Sequence, residues 1–297
     1  MGDFIQRIFN DIIAEIEDIL IQGIVSNVEN AFANWENEVE QSAQMLAQTP
    51  ENFLGGYHFG IIENFANSTI LPIALVAFAL IVGYEFMSML SEGNTLRDFD
   101  YTHLFKWLVK VFIGVLLLTN VFPIVNWIFG IGAEAVTLAQ EGMGIEALNF
   151  DIMLDALEDN LRNYYFITTL SSLWITSFLL GFIMTACRMI IMIIVIYRMI
   201  LILMKMSLAP IPFATLINRE WSSVGNNYIK TLVATSFQGF LMIMVLVLNG
   251  ATMALIPITP SAEGIGMMMF VYAGVSVMMI ILLLKTQQIS KSIFGAS

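Results

Sequence analysis

Charge is scarce in this chain. Only 12% of its 297 residues are Asp, Glu, Lys or Arg, where a soluble domain carries about 25%. Apolar residues fill the difference, at 58% against a usual share of roughly 45–50%, and this argues against a soluble single-domain enzyme. Cysteine is nearly absent. Cys187 stands alone inside an apolar run, so no intrachain disulfide and no metal-binding Cys spacing is available. The two histidines, His58 and His103, are far apart in sequence and expected on opposite sides of a membrane, so no shared metal is expected. No G-x-x-x-x-G-K-[ST] phosphate loop, H-E-x-x-H or G-x-S-x-G occurs, and no catalytic residue, cofactor or metal is expected. Asp3, Asp11, Glu15 and Glu17 stand where a signal peptide would carry a basic start and an unbroken apolar core. Gln6 likewise breaks a myristoylation pattern after Gly2.

Charge is also unevenly placed. Of the net −12, residues 1–67 carry −10 and 132–163 carry −6, while 104–131 carry +2 and 164–297 carry +5. The chain is an acidic head and an apolar body with one acidic interruption, and it offers no broad basic face for nucleic acid.

Within the head, Ile5, Ile8, Phe9, Ile12, Ile16, Ile19 and Leu20 recur at spacings of three and four between acidic residues. This predicts an amphipathic helix over 4–28, either interfacial, packed on the chain's own spans, or in contact with another protein. A second polar helix is predicted over 36–48. Thr49-Pro50 reads as an N-cap followed by Pro at the first helical position, and Gly55, Gly56 and Gly60 read as breaks.

A membrane span needs about 20 mostly apolar residues. Stretches 68–90, 105–130, 230–256 and 267–284 qualify. From Tyr164 to Asn218 only Arg188, Arg198 and Lys205 interrupt the apolar run, which as one helix would be on the order of 80 Å long. Crossing once gives five spans and leaves only Arg7 and Arg162 outside, which suits the preference of Lys and Arg for the cytoplasmic side. Crossing twice gives six and moves Arg219, Lys230, Lys285 and Lys291 outward. The expected fold is therefore all-α, a polytopic bundle of about five spans. Residues 1–67 form an extracytoplasmic helical segment and 68–297 the transmembrane domain. The fifth run crosses over 164–188 and continues as a long helix to 209, and 132–163 form an acidic outer loop.

This topology leaves an apolar helix at 189–209 that cannot face water and must be covered by the same chain, by copies or by partners. Arg198 and Lys205 nearly coincide on a helical wheel, with Arg188 about a quarter turn away. The stripe has three readings: snorkelling to headgroups, lining a path for anionic cargo, or pairing with a partner's acids. Glu85, well inside the first span, is expected to pair with Lys110 at matching depth, a proton or ion relay being the other reading. The pairs Gly130/Gly132, Gly142/Gly144 and Gly264/Gly266 read as turns. Pro210 and Pro212 must end or kink the long helix, and Trp221, Tyr228 and Lys230 form an interfacial anchor.

The block Ala209-Pro210-Ile211-Pro212-Phe213, followed by Trp221, Gly225, Tyr228-Ile229-Lys230, Gln238-Gly239 and Gln287-Gln288-Ile289-Ser290-Lys291, resembles the TrbL-like polytopic subunits of bacterial conjugation machines, within the type IV secretion superfamily. The resemblance covers roughly 65–297, with the N-terminal helices fitting only the general layout. It implies a bacterial plasma-membrane, oligomeric channel or scaffold component with its N-terminus outside and C-terminus cytoplasmic. It further implies membrane lipid, other type IV secretion subunits and assembly ATPases as partners, and single-stranded DNA bound to a relaxase as cargo. A stand-alone secondary transporter or ion channel working through Glu85 and the cationic stripe is the alternative. A membrane-embedded enzyme has no specific residue in its favour.

Overall fold

The computed structural model describes residues 2–92, 101–143, 151–162, 167–256 and 261–296. Among them no strand occurs. The helices are α1 (Gly2–Leu46), α2 (Pro50–Leu54), α3 (Gly56–Phe65), α4 (Leu71–Glu92), α5 (Tyr101–Thr119), α6 (Val121–Met143), α7 (Asp151–Arg162), α8 (Ile167–Leu208), α9 (Pro210–Phe213), α10 (Ser222–Ala254) and α11 (Ala262–Ile293). Among the described residues, five stretches are long and apolar enough to cross a membrane: Gly56–Ser91, Val121–Gly142, Ile167–Leu208, Ser222–Met253 and Glu263–Ile293. The chain is an all-helical, multi-pass membrane protein.

Helix boundaries follow from local breakers, and several differ from the sequence expectation. The two helices expected over 4–28 and 36–48 are one helix, α1, because no proline lies before Pro50 and the intervening Val28–Trp35 stretch has no glycine. The helix stops at Leu46, and Thr49 then caps α2, its hydroxyl accepting from Asn52 N at 3.3 Å with Pro50 at the first position. Gly55 supplies the positive φ (74°) that separates α2 from α3, whereas Gly56 and Gly60 lie inside α3.

Helix α4 does not begin at 68. A π turn over Ala66–Ile70 joins α3 to α4, and Pro72, which has no amide to donate, follows it. The wider turn relieves the carbonyl that the proline ring would meet. The expected single span 105–130 is instead divided at Asn120 between α5 and α6. Thr119 Oγ1 bonds Val115 C=O at 2.9 Å and Asn120 Nδ2 bonds Leu116 C=O at 2.8 Å, while Pro123 sits in the first turn of α6. These side chains compete with the helical ladder where proline already weakens it. Helix α6 then runs on to Met143, so the acidic stretch 132–163 is helical at 132–143 and again in α7. Gly144 lies outside the described residues.

The chain packs as two compact units, one made of Met1–Gln44, Ala139–Val195 and Met242–Lys285, the other of Met45–Leu138, Ile196–Leu241 and Thr286–Ser297. The division expected at residue 67 concerns membrane position, whereas this one concerns packing, and the two cut the chain at different places. In the first unit α1 buries Ile21, Ile24, Val28, Phe32, Trp35 and Val39, the three-and-four spacing of one helix face. Phe32 meets Tyr272 edge to face at 5.0 Å, and Leu157 and Leu161 of α7 are fully buried.

The second unit has a core of Phe78, Leu118, Phe122, Phe129, Met199, Met206 and Phe213 with neighbouring apolar side chains. Close approach is built from glycine: a Cβ on Gly114 would lie 1.9 Å from Ile217 Cδ1, and one on Gly132 would lie 2.0 Å from Ser236 Oγ. Gly132 is thus a contact residue inside α6, not the turn its Gly-x-Gly spacing suggested.

Candidate functional site

The groups singled out from the sequence converge most densely in the second unit, where the last turns of α8 face the first half of α10. Helix α8 is unbroken for 42 residues, about 63 Å, because it contains no proline and is rich in Leu, Ile and Met. It ends at Leu208 ahead of Pro210, which is buried, and the half-buried Pro212 follows within α9. Asn218 Oδ1 then accepts from the amides of Glu220 and Trp221 at 2.9 and 3.2 Å, an Asx-type turn that starts the chain back toward α10. Gly225 is required there, since a Cβ would come within 2.6 Å of Leu216 and 2.8 Å of Pro212 C=O.

Arg198 is 4% exposed. Its Nη2 donates to Ser236 C=O at 3.3 Å and its Nη1 points at Met199 Sδ at 3.7 Å. Its Nε has no hydrogen-bond partner among the described residues. The guanidinium rests where Gly239 has no side chain: a Cβ there would lie 2.6 Å from Nη2. Lys205, half-buried, donates to Thr235 Oγ1, and Tyr228 OH donates to Lys205 C=O. Ser236 is held in turn by its hydroxyl, which donates to Ile128 C=O at 2.7 Å.

Two of the three stripe cations therefore point into protein, toward neutral acceptors on α10. Arg188 is part of the first unit and half-buried, and its charge acts on Glu38 of α1. Burial holds the Glu38 carboxyl above its ordinary value, a push that the Ser42 hydroxyl and Arg188 only partly oppose.

The remaining motif residues have separate local roles. Gln238 Nε2 donates to Thr286 Oγ1 at 3.3 Å, and Ser290 Oγ donates to Ala234 C=O at 2.5 Å, so the middle of α10 is bound to the end of α11 by side-chain hydrogen bonds. Trp221 and Lys230 are exposed. Lys110 Nζ lies 3.2 Å from Glu85 Oε1, with 53% and 21% of the two side chains exposed, so these groups meet directly across α4 and α5. Among the described residues, no group of three or more His, Cys, Asp and Glu is placed to hold a metal. The sequence reading did not identify Thr235 and Ser236, the acceptors of the two cations. Their only sequence signal is an adjacent hydroxyl pair between apolar neighbours, Ala234 and Phe237.

With this geometry in view, comparison with known proteins gives one match. Residues 35–210 fit the TrbL/VirB6 plasmid conjugal transfer like protein family. The matched region begins inside α1 and takes in only its last residues, 35–46, so most of that helix, which had been expected to fit only loosely, lies outside it. It ends at Pro210, so the residues quoted for the resemblance from Ile211 onward lie beyond it. No curated protein and no solved structure matches the chain. The match covers more than half of the residues, and the chain belongs to the TrbL/VirB6 plasmid conjugal transfer like family of membrane proteins.

Proposed function

We propose that this protein is a non-enzymatic channel or scaffold subunit of a bacterial conjugation machine of the type IV secretion class, and that it helps form the path for relaxase-bound single-stranded DNA. It works in the plasma membrane with the acidic N-terminal segment outside and the C-terminus in the cytoplasm, beside other membrane subunits and the assembly ATPases. The observation that carries this reading, beyond family membership, is the character of α8. A bilayer core of about 30 Å takes up only half of a helix about 63 Å long. Yet Met189, Ile193, Tyr197, Ile200 and Met204 remain exposed on the half expected below the inner interface. Such a surface supports an assembly in which copies or partners cover it.

The two α10-facing cations fit the same reading as fasteners that fix the α8–α10 geometry, with any contact to cargo made elsewhere. The experiment is deletion of the gene from its conjugative element, complemented by wild type and by Arg198→Gln/Lys205→Gln. Deletion is expected to abolish transfer while growth stays normal. The double variant is expected to lower membrane accumulation and transfer together. Unchanged transfer after deletion overturns the proposal, as does a purified monomer that conducts ions in liposomes. Normal accumulation with lost transfer would instead assign the cations to the cargo path.

A further inference from the structure

The N-terminal half of α1 carries an apolar row that nothing among the described residues covers. Ile5, Phe9, Ile12, Ile16 and Ile19 follow the three-and-four spacing of a heptad seam, and all five are exposed, Phe9 and Ile19 at 64%. The first buried residue of the helix is Ile21. From there the buried face runs through Ile24, Val28, Phe32, Trp35 and Val39, roughly 140° around the axis from the exposed row at 100° per residue. Helix α1 is thus apolar on two faces: one packs in its own unit, and the other, over 4–19, does not.

Charge discriminates among the occupants this second face could take. Residues 2–20 hold five acids and one base, Arg7. Asp11, Glu15 and Asp18 fall at i, i+4 and i+7, a single line along one edge of the row. Asp11 and Glu15 have no ion-pair partner among the described residues, whereas Asp18 draws Arg162 of α7 to 4.0 Å. An anionic membrane surface is repelled by this edge, and a second copy brings an identical acidic edge against it. A helix whose apolar stripe is bordered by Lys or Arg satisfies both the row and its edge.

We propose that residues 4–19 are the docking face for an amphipathic helix of another protein, apolar along one stripe and flanked by basic residues. The test uses the full-length protein in nanodiscs of zwitterionic phosphatidylcholine. The probes are two fluorescent synthetic helices of equal length and identical Leu stripe, one flanked by Lys and the other by Glu, followed by fluorescence anisotropy. The Lys-flanked probe is expected to bind about tenfold tighter or better, with the preference shrinking as salt rises. Asp11→Lys with Glu15→Lys should reverse the preference. Ile12→Ser with Ile16→Ser should remove binding while helicity and particle size stay as in wild type.

Equal binding of the two probes, no binding, or a preference indifferent to the charge reversal overturns the proposal. Two further results overturn it by naming another occupant. If the Ile12→Ser/Ile16→Ser protein loses a larger oligomer that wild type forms, a second copy covers the row. If those substitutions remove binding to vesicles containing phosphatidylserine, lipid does.

Discussion

Helix α8 belongs to both compact units, and its two halves treat positive charge differently. In the first unit Arg188 is half-buried and acts on an acid, Glu38. In the second, Arg198 and Lys205 are received by a backbone carbonyl and a threonine hydroxyl, with no carboxylate among the described residues bonded to either. The first sets opposite charges where each acts on the other, though burial still outweighs the attraction at Glu38. The second holds a desolvated cation by hydrogen bonds alone, which is costly unless geometry is tight. Tight geometry is provided there by Gly132 and Gly239, whose missing side chains let Ser236 and the guanidinium approach closely.

The largest effect should come from filling one of those contacts. Gly132→Ala places a Cβ 2.0 Å from Ser236 Oγ and 2.8 Å from its carbonyl, and should destabilise by about 1–3 kcal/mol. Gly266→Ala in the first unit meets Leu173 at an ordinary 3.6 Å. It should be neutral, within about 0.5 kcal/mol. Thermal unfolding of both variants in one detergent checks the contrast, and equal losses would erase the distinction between these two contacts.

Next is the charge itself. Arg198→Met keeps an unbranched side chain but removes the donor to Ser236 C=O that fastens α8 to α10, so it should destabilise, by about 1 kcal/mol. A gain in stability instead would show that desolvation outweighs the bonds to Ser236 and Met199. Smaller again is the pair on α4 and α5. Lys110 is half exposed, so Glu85→Gln should cost about 1 kcal/mol or less. The exchange Glu85→Lys/Lys110→Glu should recover most of it. A swap as damaging as the sum of both single changes would mean the two side chains are read separately, as in a relay.

These contrasts also show where the sequence was legible. Apolar runs, the Thr49 cap, the stop at Pro210 and the Glu85–Lys110 pair could be read because each depends on neighbours along one helix or on matched depth between consecutive helices. The division at Asn120 was hidden by the strength of the apolar signal on both sides, although Thr119, Asn120 and Pro123 carried it. The acceptors of Arg198 and Lys205 could not be read at all. They depend on the register of α8 against α10, which is set by the absent side chain of Gly239, and a wheel drawn for one helix contains no information about the next. The same wheel placed the three cations in one stripe. It could not foresee that the stripe is divided between two packing environments.

The smallest effect tests the acid side of the comparison. Glu38 is half-buried on α1, and Ser42 Oγ donates to its Oε1 at 3.4 Å. Burial raises its carboxyl above the ordinary value of 4.5, so folding favours the protonated form. The resulting stability is full below that ordinary value and fades as pH rises through the raised one. Wild type should therefore gain stability on moving from neutral pH toward pH 4.5, by more than Glu38→Gln does, since glutamine keeps the size and loses the titration. The difference in melting temperature between the two proteins should be roughly 2 °C or less at neutral pH, with glutamine the more stable, and should close as pH falls. If the gap widens on acidification instead, the Arg188 charge outweighs burial. Glu38 then behaves as one half of an ion pair, and the first unit balances its buried charge more completely than the depth of this carboxyl suggests.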